Sequence, residues 1–314
     1  MAKPKRVSKR IVWAIDPFEA SGQTQSHVVA ILQKLSSEGA IVEPVYVLSP
    51  DEYEMNVEFN APWLKQIRPS VQKVLEHYLK EVKVADLCPA QIIVERKPSV
   101  TRAVWALIAY AKRAKADMIL VGTHARKGIQ RFFLGSFAET LLLHSDLPVL
   151  VVGPHADSRR IAAETSRILF ATDFASASLP TFKRVLALAK SRGSKVTLFY
   201  SLPHVTEAVF QSGICLAGGV PILFPDFLTK DEQSKRKIAE RYVQMGHKLG
   251  IEIEIRFNSS HINTAQGIVE HAESEHMDLI AMAAQSGVVS TSLLGSTSRQ
   301  VVRSAPCPVW VLRA

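Results

Sequence analysis

Two tandem α/β domains, each a doubly wound five-stranded parallel sheet, are the fold class that this sequence predicts. Three observations carry that reading. Short apolar runs alternate with amphipathic segments from end to end. Landmarks of the first half return in the second. A chain of 314 residues also has room for about two domains at roughly 100–200 residues each. The repeat is direct: IVWAIDPFEAS at 11–21 returns as ILFATDFASAS at 168–178, with Ile11, Ala14, Asp16, Ala20 and Ser21 each matched 157 residues on. LGS at 134–136 and PVLV at 148–151 return, 160 residues on, as LGS and PVWV. Landmarks preserved at both ends of two half-chains mean a duplicated unit. The first copy occupies 1–152 and the second 166–314, with the polar, aperiodic stretch 153–165 as linker.

Each element of the first copy has its own signal. Apolar runs predict strands at 10–16, 41–48, 90–96, 117–122 and 148–152. Helices fall between them, near 24–38, 63–84, 99–115 and 136–145. In 99–115, Val100, Ala103, Val104, Leu107, Ile108 and Ala111 recur at the three-and-four spacing of one helix face. The second copy repeats the order, with strands near 167–173, 195–201, 251–257, 278–283 and 308–312. Runs such as MILV and VLVV have no polar alternation, so these strands are covered on both faces, as in a parallel sheet. Right-handed crossovers then place any ligand beyond the carboxyl ends of the strands, where the strand order reverses.

Composition excludes other classes. With 47% apolar and 21% charged residues the chain is an ordinary globular one, neither disordered nor fibrous. Cys88, Cys215 and Cys307 are odd in number and have no CxxC spacing; they suit a reducing cytosol rather than a disulfide scaffold or zinc ribbon. The longest apolar run, Ile214 to Phe224, is broken by Gly218, Gly219 and Pro221, and falls well short of the roughly 20 residues of a spanning helix. MAKPKRVSKR is basic and leads straight into a strand without a signal-type apolar region. It supplies five cations and no acid, more than half of the net charge of +9. Elsewhere basic clusters are short or mixed with acids, so the electrostatic footprint of specific nucleic-acid binding is missing. A cytoplasmic protein with no membrane span and no specific nucleic-acid partner is expected.

The first copy carries the candidate site. Asp16 closes the first strand, Gly122 closes the fourth, and Gly135 and Ser136 open the last helix after the loop GTHARKGIQRFFLGS. Glycines let a ligand approach the backbone, and a helix N-terminus offers free N–H groups and partial positive charge. Arg126, Lys127 and Arg131 add cations on the same loop, making an anion cradle, while Asp16 could accept hydrogen bonds from ribose hydroxyls or an adenine amino group. Neither a Walker A loop nor GxGxxG is present.

DMILVGTHARKGIQRFFLGSFAETLLLHSDLPVLVV at 117–152, together with Asp16 and Asp173, resembles the signature of the universal stress protein family. The resemblance runs over nearly the whole chain, twice, as in tandem members. It implies the family's Rossmann-like domain with five parallel strands, and ATP, with or without Mg2+, in the first copy only. It also implies that Asp16 and Val47 lie on the adenosine side. Gly122, Arg126, Gly135 and Ser136 would face ribose and phosphates, with the N–H groups of Phe137 and Ala138 helping. One residue departs from the family's spacing of Gly, two residues, Gly, nine residues, Gly-Ser/Thr: Ala125 stands at the second glycine. The resemblance further implies that the last strands, near 149–152 and 309–312, pair across a pseudo-dimer.

The second copy reads as a structural twin. In DLIAMAAQSGVVSTSLLGS at 278–296, Ala283 and Ser286 stand at the first two glycine positions and the arginines are gone; Gly295, Ser296 and Asp173 remain. Asp173 is expected to act as a turn or cap residue. An apolar connection, 202–229, is longer than ordinary loops and is expected to fold over its own domain or a dimer contact. His271 and His276, in EHAESEH, have no metal-site spacing and read as solvated helix residues. His124 reads as a loop-shaping residue. No nucleophile, base pair or metal set is visible, so at most slow ATP hydrolysis is expected. The function expected is that of a stress-response regulator that binds adenine nucleotide and acts through protein partners or homodimerisation. The alternative is a scaffold that binds no nucleotide and works through protein contacts or an apolar ligand at 202–229.

Overall fold

Ten strands join into one continuous sheet, ordered β3-β2-β1-β4-β5-β10-β9-β6-β7-β8. The computed structural model describes residues 9–19, 22–50, 57–123, 135–157, 166–175, 178–202, 225–258, 263–283 and 295–313. In the first copy the elements are β1 (Arg10–Ala14), α1 (Gln23–Ser37), β2 (Ile41–Leu48), α2 (Ala61–Glu81) and β3 (Gln91–Val94). They continue with α3 (Val100–Arg113), β4 (Met118–Gly122), α4 (Ser136–His144) and β5 (Val149–Val152). The second copy contributes β6 (Arg167–Ala171), α5 (Ser178–Arg192), β7 (Lys195–Ser201), α6 (Pro225–His247) and β8 (Ile253–Asn258). It ends with α7 (Thr264–Ser274), β9 (Leu279–Ala283), α8 (Ser296–Ser304) and β10 (Val309–Leu312).

Every pairing within a copy is parallel, and the chain reverses direction in the sheet between β1 and β4, and again between β6 and β9. The two five-stranded sheets meet through β5 and β10, antiparallel, with Trp310 opposite Leu150. These are the strands whose pairing the family resemblance implied.

Successive strand residues point to opposite faces, and each face has its own core. Ile11 and Trp13 go to the layer with α1, α2, α5 and α6, where Leu32, Leu75, Phe182 and Tyr242 are buried. Val12 goes to the layer with α3, α4, α7 and α8. There α3 buries Ala103, Val104, Leu107, Ile108 and Ala111, five of the six positions in its apolar stripe. Its start is fixed by Ser99, whose side chain accepts the Arg102 N–H at 3.3 Å.

Two corrections concern boundaries. The expected connection 202–229 is shorter than its apolar composition suggested, because α6 already begins at Pro225; residues 203–224 lie outside the described residues. Strand ends also retreat: β1 stops at Ala14 rather than at residue 16, because the Asp16 carboxylate accepts the Phe18 N–H at 2.9 Å and the chain turns through a short 3-10 segment, Pro17–Glu19.

Candidate functional site

Strand topology puts the reversal point of the first copy between the carboxyl ends of β1 and β4, the place where ligands of doubly wound sheets bind. Ala14 pairs with Val121 there, so Asp16 and Gly122 leave the sheet from adjacent strands. Asp16 is half-buried and anchors its own turn. Gly122 pairs with Val152 of β5, and the next residue, Thr123, is buried and donates its N–H to the Val152 carbonyl at 2.9 Å. Val47, on β2, is only 4% exposed and packs in the core with Val12, Val45 and Val121.

The start of α4 lies in the same helical layer, packed on α3 and β5. Its first N–H groups have no intrahelical partner, as at any helix start, and the cap residue, Gly135, has no side chain to accept them. Gly135 at the cap has φ −54° and ψ 143°, an extended conformation open to any residue. A methyl group built on it would meet nothing within 4 Å among the described residues. Ser136 is exposed, Phe137 half-buried and Ala138 buried. This arrangement fits an anion: the N–H groups of a helix start and the positive end of its dipole behind a glycine. Arg126 lies outside the described residues, as do His124, Ala125, Lys127 and Arg131.

Ser49 was missed in the sequence. It follows β2, two positions beyond Val47, and is 1% exposed; its Oγ has no hydrogen-bond partner among the described residues. The available signal was a small polar residue just after a strand end in the candidate copy.

The second copy has the same frame with different contents. Gly295 repeats Gly135, with φ −54°, ψ 144° and no described residue within 4 Å of an added methyl group. Asp173 anchors its turn as Asp16 does: its Oδ1 accepts the Ala175 N–H at 2.9 Å and also the Ser178 hydroxyl at 2.8 Å, while Lys235 donates to its carbonyl at 2.8 Å. Beside it Phe174, held at φ 56°, fills the space among Tyr200, Tyr242 and Phe257, with ring centroids 5.5–6.3 Å away. Burial, with the Asp173 charge nearby, pushes the Tyr242 hydroxyl up to about 12. At the end of β4's counterpart stands the buried Ala283.

His271 needs correction. It is not a solvated helix residue: its ring packs on Phe199 with centroids 5.3 Å apart, its Nε2 is buried without a partner among the described residues, and burial lowers its pKa. The polar sequence around it hid one inward position of an amphipathic helix. Among the described residues no group of three or more His, Cys, Asp or Glu could hold a metal ion, and no helix is long and apolar enough to cross a membrane.

Comparison with known proteins agrees with the geometry. The model of the universal stress protein family matches residues 8–153 and 216–313. A universal stress protein of Mycolicibacterium smegmatis is 28% identical over 220 residues, 69% of this chain and 67% of that one. One from Methanocaldococcus jannaschii is 28% identical over 145 residues, 46% of this chain and 81% of its own. Among solved structures, a universal stress protein from Archaeoglobus fulgidus superposes with a TM-score of 0.63 at 17% identity, covering 97% of this chain and 96% of that one. The duplicated α/β frame and the family match in both halves lead to one conclusion: the chain belongs to the universal stress protein family, as a tandem member.

Proposed function

We propose that the first copy binds an adenine nucleotide, ATP with or without Mg2+, and that the chain acts as a nucleotide-dependent regulator of the stress response in the cytoplasm. The observation that carries this reading is the start of α4, where the cap residue Gly135 brings no side chain and its open side meets no described residue, in the copy whose strand order reverses beside Asp16 and Gly122. In this proposal the N–H groups of Ser136, Phe137 and Ala138 hold phosphate oxygens. Arg126 adds charge from the loop, and Gly122 and Gly135 let the polyphosphate come close. Asp16 receives ribose hydroxyls or the adenine amino group, with Val47 on the same adenosine side. The second copy, with Phe174 wedged among aromatic rings beside an Asp173 that also holds the Ser178 hydroxyl, serves as a structural partner. Occupancy would engage the loop between Gly122 and Ser136 and so bias protein contacts, including self-association. The domains of this proposal are 1–152 and 166–314, joined by 153–165.

Calorimetric titration of nucleotide-free protein with Mg-ATP tests it. One site is expected, lost in an Asp16→Ala, Gly135→Val variant whose circular dichroism is unchanged. Two sites would mean that the second copy also binds. No heat from folded protein at millimolar ATP would remove the nucleotide from the function.

A further inference from the structure

The seam between the copies is unequal in charge. Among the described residues three ion pairs cross it: Glu38 with Arg192, Glu139 with Arg299 at 2.7 Å, and Asp146 with Arg313 at 4.0 Å. In all three the acid belongs to the first copy and the base to the second. The first two have a further property. Glu38 precedes Gly39, and Arg192 precedes Gly193, the positive-φ glycines that end α1 and α5; the two residues hold the same place in their copies. Glu139 is likewise the fourth residue of α4, and Arg299 the fourth of α8.

Equivalent residues can touch across a pseudo-two-fold axis only if they lie beside it. One pair therefore marks the axis in the α1/α5 layer and the other in the α4/α8 layer. Between them, in the sheet, Leu150 faces Trp310, again equivalent positions. At such positions a homotypic pairing would bring each residue against itself: Glu38 on Glu38, Glu139 on Glu139, or Arg192 on Arg192 and Arg299 on Arg299. The sheet would then carry Leu against Leu or Trp against Trp where it now carries a large and a small side chain.

We propose that this seam is charge-coded for a single partner, the acidic edge of the first copy accepting the basic edge of the second and rejecting a second copy of itself. Exposed ion pairs contribute little to stability; the first two of these are partly buried, whereas Asp146 is 65% exposed. Arg192, whose side chain is 16% exposed, makes a two-pronged contact with Glu38, one prong at 2.8 Å. The larger effect of such pairs is discrimination, because the wrong pairing sets like charges face to face. The duplicated chain thereby closes on itself through β5 and β10, leaving β3 and β8 as its outer edges.

Charge reversal in the full chain tests this, read by denaturant unfolding at low salt. Glu38→Arg with Glu139→Arg, and separately Arg192→Glu with Arg299→Glu, should each lower the folded-to-unfolded ratio about tenfold or more. All four changes together should restore it to within about threefold of the parent, because the code is reversed and not removed. Glu38→Gln with Glu139→Gln should cost less than the reversal, since neutral groups do not repel. The idea is overturned if the fully reversed chain is no more stable than the one-sided variants, or if reversal costs no more than neutralisation. If a reversed chain does not fold, glutamine changes on the acidic side, the basic side and both complete a double-mutant cycle. Coupled losses then support the code, and additive losses overturn it.

Discussion

At the scale of single residues, equivalent positions in the two copies have taken different work. Tyr110 of α3 and His271 of α7 are counterparts, each five residues before the left-handed residue that follows its helix, Lys115 or His276. Tyr110 donates its hydroxyl to the buried Glu43, which also receives Arg10 at 3.1 Å; burial and the Glu43 carboxylate together raise the Tyr110 pKa. At the second position the ring packs tilted against Phe199, and its Nε2 has no hydrogen-bond partner among the described residues. Burial lowers the His271 pKa in the folded state, so below the ordinary value of about 6.5 the unfolded chain takes up a proton that the folded chain refuses. Stability from this residue is therefore full above that value, and falls as the pH drops through the window down to the lowered pKa. His271→Phe keeps a ring against Phe199 and removes the titration. Denaturant midpoints between pH 7 and 5 should fall less steeply in the variant than in the parent; parallel curves would show that His271 does not set the slope. None of this could be read from EHAESEH, because Phe199 is distant in sequence and only the sheet brings the two together.

Elements show which parts of the pattern were legible. The apolar stripe of α3 and the uninterrupted strands could be read directly, since burial on one helix face or on both strand faces leaves a period in the sequence. Element ends were less legible, because they depend on hydrogen bonds between side chain and backbone, such as those of Asp16 and Ser99. Of the candidate site, the glycines and Asp16 were visible as residues that close strands or open a helix, whereas the burial of Val47 and Ser49 required the packed sheet. Glycines also divide into two kinds that look alike in sequence. Gly39 ends α1 at φ 90°, a region that costs an L-residue roughly 1–2 kcal/mol. Gly135 sits at an ordinary negative φ, with no described residue near its open side. Gly39→Ala should thus destabilise the fold by about 1 kcal/mol or more and leave nucleotide affinity alone. Gly135→Ala should leave the unfolding midpoint unchanged and weaken ATP binding in the titration. A stability loss at Gly135 equal to that at Gly39 would mean that the backbone, and not a ligand, accounts for that glycine.

For the molecule as a whole, the ten-stranded sheet has a mechanical consequence. Both core layers continue across the seam: Leu150 and Ile168 belong to one, Val151 and Val309 to the other. The strands at the junction are buried and paired on both sides, β5 with β4 and β10, and β10 with β9 and β5. Separating the copies would bare two hydrophobic edges with unpaired backbone groups, a costly intermediate. The repeat in the sequence suggests two independent units; the joined sheet argues that neither half unfolds without disturbing the other. Tryptophan placement makes this measurable, because Trp13, Trp63 and Trp105 lie in the first copy and Trp310 alone in the second. In a Trp310→Phe variant, fluorescence reports the first copy while far-ultraviolet circular dichroism reports both. The two denaturant curves should coincide in midpoint and steepness, and the slope should match the surface exposed by about 300 residues rather than 150. A first-copy transition separated from the dichroism curve would show that the seam yields first, and that the shared sheet joins two units that remain thermodynamically independent.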